Sequence, residues 1–408
     1  MRRIILLPIA LLAAALLPAM LLLVALLSGC AGTATQPAAP PPSLFADTAF
    51  KPPSAPVGAD DLFTLSPSMR AYLNSAAFHA LLRTHGEARG LIEALYRKTD
   101  LQLDYESGHT RIAAETYAAR SGNCLSLVIM TAAFAKELGM RVMFRRVEVE
   151  EGWSRDGNLY MNVGHVNVAI GPRAEATRYV GNGAVLVVDF LPPKDADKLL
   201  AHPIEEHQIA ALFMNNRAAE SLAAGALDDA YWWARAAVRL DPTSTIAVNT
   251  LGVVYLRHGD KAPAERAFRA VLEREPENVV AMHNLIPLLQ AMGRSSEAQA
   301  LAQRAAGIEP VPPFAWFNKG MAAMQAGEFD KARALFAREV KRAPYNDEFH
   351  FWLAVAQLRL GDTAEAREQL ALAIDTSTRR DNRDLYSAKL THLRSQALNQ
   401  ALSRPVLR

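Results

Sequence analysis

Cysteine is almost absent from this chain: 408 residues contain two, Cys30 and Cys124. Neither belongs to a Cys-x-x-Cys pair and no His-Glu-x-x-His occurs, so the pattern supports no structural or catalytic zinc. There is no Gly-x-Ser-x-Gly elbow to present a nucleophilic serine and no Gly-Lys-Ser/Thr loop to cradle a phosphate. Acidic loops of the calcium-binding kind are missing as well. So is any basic tract, and the formal net charge of +2 falls to 0 if residues 1–29, with Arg2 and Arg3, are removed. That balance argues against nucleic acid as the main partner. Charged residues at 21% and hydrophobic ones at 50% describe a soluble body, long enough for two domains.

What is present begins with Arg2-Arg3 and an uncharged, mostly apolar run ending Leu27-Ser28-Gly29-Cys30. A basic start, an apolar centre and small residues before the cysteine read as an export signal over 1–29. The run is also long enough to be an uncleaved membrane anchor. Leu-Ser-Gly-Cys resembles the lipobox of bacterial lipoproteins. The resemblance implies lipid on the Cys30 thiol and cleavage after Gly29. Ala31 follows, not the Asp that holds many such lipoproteins at the inner membrane, which implies the outer membrane of a Gram-negative cell, facing the periplasm. Residues 30–57 are then anchor and tether, because Gln36-Pro37-Ala38-Ala39-Pro40-Pro41-Pro42-Ser43 is a composition that stays extended.

The C-terminal half repeats. Gly225, Gly259, Gly293, Gly327 and Gly361 stand 34 residues apart, as do Ala230, Ala264, Ala298, Ala332 and Ala366, and Pro242, Pro276, Pro310 and Pro344. Gly turns the chain between two helices, Ala lets them approach, and Pro ends the second. This period resembles the tetratricopeptide repeat. It implies an all-α solenoid over 206–408, with units 211–244, 245–278, 279–312, 313–346 and 347–380 and a capping helix near 384–400. Pro287 falls inside the first helix of the third unit, where it should kink that helix or leave a carbonyl unpaired. By family geometry, Asn215, Asn249, His283, Phe317 and Phe351 line the concave face. The stripe Phe314, Phe317, Met321, Met324 and Phe351 gives that face an apolar C-terminal end, or is packing between repeats.

Cys124 lies in the other part, assigned to 58–205. Residues 62–140 read mainly as helix, with Ser66-Pro67 as a start signal. Arg120-Ser121-Gly122-Asn123 interrupts the pattern, and Cys124–Leu138 resumes it as a buried helix capped by Asn123 or Ser121. Cys124 therefore falls in the first turn, where free amides and the dipole favour a thiolate over a thiol of pKa about 8.5. Strands follow at 142–149, 165–170 and 184–190, with Gly181-Asn182-Gly183 as a turn. His165 and Asn167 share one strand face, and Asp189 ends the third strand, where burying its charge requires a partner.

Cys at a helix start, His on a strand and Asp on the next strand resemble the transglutaminase-like superfamily, related to papain-type cysteine proteases. Gly122-Asn123-Cys124, Gly164-His165-Val166 and Val188-Asp189-Phe190 carry the likeness, over about 105–195. It implies an α+β fold in which Cys124 is the nucleophile, His165 the base and later the acid, and Asp189 the orienting carboxylate. The Cys124 amide, near Asn123, would be one oxyanion donor. Leu125 stands where many eukaryotic members place Trp, and the second donor is not identified. No cofactor is needed for such chemistry. Two functions follow. One is a cell-envelope cysteine peptidase, amidase or transamidase whose repeats dock a protein partner or substrate. The other is a non-catalytic assembly lipoprotein whose repeats bind a partner and whose Cys/His/Asp domain is structural or holds a peptide.

Overall fold

The computed structural model describes residues 44–96, 101, 103–106, 108–147, 153–156, 159–162, 165–173, 185–190, 200–312, 314–377 and 379–403. The expected signal, lipobox and Cys30, and the turn at Gly181-Asn182-Gly183, lie outside them. Among the described residues no helix is long and apolar enough to cross a membrane.

Three helices open the first part: α1 (Pro67–Leu73), α2 (Ala76–His85) and α3 (Glu87–Tyr96). Ser66 starts the first by accepting the Met69 N–H on its hydroxyl at 3.3 Å. A two-residue strand β1 (Asp104–Tyr105), helix α4 (Ala113–Ala119) and strand β2 (Ser121–Gly122) follow, and β1 pairs parallel with β2. Then comes α5 (Cys124–Glu137), buried on every side from Cys124 to Ala135, as its unbroken apolar sequence requires.

The remaining strands are β3 (Met140–Val147), β4 (Trp153–Asp156), β5 (Leu159–Asn162), β6 (His165–Arg173), β7 (Leu186–Val188) and β8 (Ala201–Ile204). Four form an antiparallel sheet in the order β7-β6-β3-β8, and β4 pairs with β5. Val166, Val168 and Ile170 of β6 are buried in one core with Val128 and Ile129 of α5. Several of these elements differ from the sequence reading. Strand β7 ends at Val188, so Asp189 stands just beyond it and not within it. The β4–β5 hairpin and β8 have no strong alternating pattern to announce them.

The second part is a solenoid of helix pairs: α6 (Glu206–Ala223) and α7 (Leu227–Leu240), α8 (Thr245–His258) and α9 (Lys261–Arg274), α10 (Val279–Ala291) and α11 (Ser295–Ile308), α12 (Ala315–Gln325) and α13 (Phe329–Arg342), α14 (Asp347–Leu360) and α15 (Thr363–Thr376), then α16 (Arg380–Ser403). The five periodic glycines all have positive φ, from +75° to +98°. That is the left-handed turn between helices, which explains their spacing. Gly252 and Gly320 serve a different need, since a Cβ on either would sit 2.6 Å from the ring of Phe268 or Phe336. Helix α10 runs through Pro287 without ending. The first helix starts at Glu206, five residues before the expected unit, and the last covers more than the expected cap.

Two further findings bear on the sequence reading. The apolar stripe is mostly packing: Phe314 and Phe317 are buried in a core shared by the fourth and fifth repeats, and Phe351 stacks on Tyr386 of α16 at 4.8 Å. This core is separate from the one that unites the first three repeats with the α+β part. The expected tether also ends early. Residues 44–54 dock on α7 and α8: Phe50 stacks on Tyr231 at 4.0 Å, and Asp47 takes two hydrogen bonds from Arg235 at 2.7 and 2.8 Å. Tyr255 donates its hydroxyl to the Leu44 carbonyl at 2.7 Å. The Pro/Ala-rich composition hides Leu44, Phe45 and Phe50, whose burial offsets the entropy of ordering the segment.

Candidate functional site

Cys124 is the first residue of α5. Asn123 caps that helix, its side-chain oxygen accepting the Ser126 N–H at 2.9 Å and the Ser126 hydroxyl at 2.8 Å. The cap leaves the Cys124 amide at the end of a buried helix dipole. The thiol is itself buried, at 8% exposure.

Strand register brings the other two residues together. Val168 pairs with Val188 and Ala169 with Val187, so the next residue beyond β7, Asp189, falls beside Asn167. Asp189 then receives two bonds: His165 Nε2 lies 2.7 Å from its Oδ1, and Asn167 Nδ2 donates to its Oδ2 at 3.0 Å. His165 is 3% exposed and Asn167 is buried. With Nε2 committed to Asp189, Nδ1 is the ring atom left for Cys124. It is buried and has no hydrogen-bond partner among the described residues, although the sulfur is near enough to act on the ring. Burial works against the imidazolium, but the Asp189 bond and the Cys124 sulfur outweigh it and raise His165 to about 9. Such a group accepts a proton readily across neutral pH.

Tyr105 is the residue sequence reasoning missed. The β1–β2 pairing sets it opposite Gly122, two residues from the cysteine. It is close enough to Cys124 for the two groups to act on each other electrostatically. Burial, then the nearby Cys124 and Asp189 charges, push the phenol up, so it stays a hydrogen-bond donor at any physiological pH. Its sequence signal is an aromatic in a short polar-flanked stretch, which is too little to find it. Asn167 had a signal, its shared strand face with His165. Among the described residues no group of His, Cys, Asp and Glu could hold a metal ion.

Strand β5 packs on α8 and α10, first helices of the second and third repeats. Asn249, expected on the concave face of α8, is buried. The array is therefore in contact with β5, the strand that precedes the one beginning at His165.

Comparison with known proteins bears on the array. The tetratricopeptide repeat family model matches residues 283–347 and 317–382. A protein CTR9 homolog of Arabidopsis thaliana is 31% identical over 118 residues, which cover 29% of this chain and 11% of that protein. Among solved structures, a thermophilic tetratricopeptide-repeat protein of Thermus thermophilus is 21% identical, with 45% of this chain covering all of it at a TM-score of 0.30. YrrB, described as a repeat protein with an unusual peptide-binding site, is 23% identical, with 44% of this chain covering 92% of it at a TM-score of 0.24. The family match and the 34-residue period make the C-terminal half of the chain a tetratricopeptide-repeat array, a class of structure that generally serves contacts with proteins or peptides.

Proposed function

We propose that Cys124, His165 and Asp189 act together in thiol acyl transfer on a peptide or protein amide, in an α+β domain similar to the transglutaminase-like superfamily. The observation that carries this reading is the buried His165 held by Asp189 at 2.7 Å, its other nitrogen left for a cysteine at a helix N-terminus. The Cys124 proton passes to His165 Nδ1 as the sulfur bonds to the substrate carbonyl carbon. The Cys124 N–H and the Tyr105 hydroxyl then hold the oxyanion. Collapse expels the amine, which takes its proton from His165, and leaves a thioester. Water restores the thiol by the same steps and gives hydrolysis; a second amine gives transamidation. The array docks the protein that carries the amide.

The sequence Leu27-Ser28-Gly29-Cys30 supports attachment by lipid at Cys30 and an outer-membrane location facing the periplasm. A second reading, a non-catalytic assembly lipoprotein, is favoured by the family match, which falls wholly in the array. Thiol reactivity separates the two, because a binding domain has no need of an activated sulfur. Iodoacetamide is expected to label Cys124 in the full chain at pH values where an ordinary thiol is mostly protonated, because the buried His165, held by Asp189, takes up the thiol proton. The His165→Ala protein should instead label only as an ordinary thiol does, one whose pKa is about 8.5. Identical ordinary titrations of both proteins, read by peptide mass spectrometry, would favour the assembly role.

A further inference from the structure

Helix α6 belongs to the first repeat, yet one of its side chains reaches the Cys124 site. Glu220 Oε1 accepts the Thr110 N–H at 2.6 Å. The Thr110 hydroxyl oxygen accepts Asn123 Nδ2 at 2.7 Å, and Asn123 in turn caps α5 through Ser126. Ser126 closes the circuit, its hydroxyl oxygen accepting the Arg111 N–H at 2.8 Å. The described part of the segment 105–112 is thereby pinned on both sides. Its start is fixed by the Glu106 N–H, which donates to the Gly122 carbonyl at 3.0 Å, and its end by Glu220.

We infer that Glu220 is a positioning residue of this site: the array supplies a carboxylate that fixes Thr110, and through it the cap of the nucleophile helix and the strand that carries Tyr105. The inference rests on the acyl-transfer reading of Cys124 and adds to it a dependence on the first repeat. Packing alone does not account for a carboxylate here. Burial raises the Glu220 pKa, while Thr110, Arg217 at 3.2 Å and His109 work against that. A carboxylate held against such a cost gives a directional, charge-assisted bond to a backbone N–H, which an apolar contact does not.

The test compares Glu220→Ala and Glu220→Gln in the full chain. Two rates are read at Cys124 by peptide mass spectrometry across pH: alkylation by iodoacetamide and acetylation by p-nitrophenyl acetate. Thermal unfolding reports the fold. Glu220→Ala is expected to lower acetylation roughly tenfold and to weaken low-pH alkylation, because displacement of about 1 Å at such a site costs up to about a hundredfold. Glu220→Gln keeps an oxygen that accepts the Thr110 N–H and should recover most of the loss. A folded Glu220→Ala protein with wild-type profiles would overturn the inference, as would a glutamine variant as impaired as the alanine one. Thr110→Val carries the same test if Glu220→Ala does not fold, since it breaks the link to Asn123 alone; the same acetylation loss supports the inference and a wild-type rate overturns it. Alkylation of the wild-type protein as an ordinary thiol would instead remove the acyl-transfer reading itself.

Discussion

His165→Ala is expected to slow acetylation of Cys124 by p-nitrophenyl acetate about a thousandfold at neutral pH, within the usual range for losing a general base. Among the described residues the site offers the thiol no substitute acceptor. Tyr105 is held protonated by burial and neighbouring charge, and the Asp189 carboxylate is engaged by Asn167. The Cys124 thiol is also too buried to pass its proton easily to water. Stopped-flow release of nitrophenolate checks the size of the effect. A loss of less than about tenfold would mean that the imidazole is not the base. Circular dichroism guards against trivial unfolding, which is a real concern because Asp189 loses a buried partner in this variant.

The second large effect concerns Tyr105. Tyr105→Phe should lower acetylation about a hundredfold, the typical result of removing one oxyanion donor. Iodoacetamide alkylation should change by no more than about twofold, because displacement at a methylene carbon develops no oxyanion to stabilise. The contrast between the two reagents is the point of the experiment. Equal losses would assign Tyr105 to the thiol, and faster acetylation would make its hydroxyl an obstacle at the Cys124 amide.

Much of this arrangement could be read from the sequence, and the parts that could not share a cause. The array announces itself because each repeat solves the same local problem: a left-handed turn at Gly259 or Gly293, a close helix contact at Ala264 or Ala298, a stop at Pro276 or Pro310. The helix that begins at Cys124 and the strand that begins at His165 are equally local, fixed by an apolar run and by alternation. Asp189 was legible as a charge at the end of an apolar strand, though the strand stops one residue short of it.

Tyr105, Thr110 and Glu220 had no local signature. Their roles depend on partners 19, 13 and 110 residues away, set by a two-residue strand pairing and by helix docking. Composition misled at the tether for a related reason. Averaging over 31–57 weighs its prolines and alanines, whereas the fold uses Leu44, Asp47 and Phe50, all matched to side chains on α7 and α8. The stripe at Phe314 and Phe317 leaves two readings open in the sequence, because helical spacing is the same for a groove lining and for core between repeats, and the structure shows core.

Covalent capture is the most direct test of thiol acyl transfer. The full chain mixed briefly with p-nitrophenyl acetate, then digested and weighed, should carry one acetyl group on the peptide containing Cys124, released again by hydroxylamine as a thioester is. His165→Ala should carry none over the same interval. Acetyl groups confined to lysines, with Cys124 unmodified in the wild-type protein, would contradict thiol acyl transfer and leave the repeat array as the working part of the molecule.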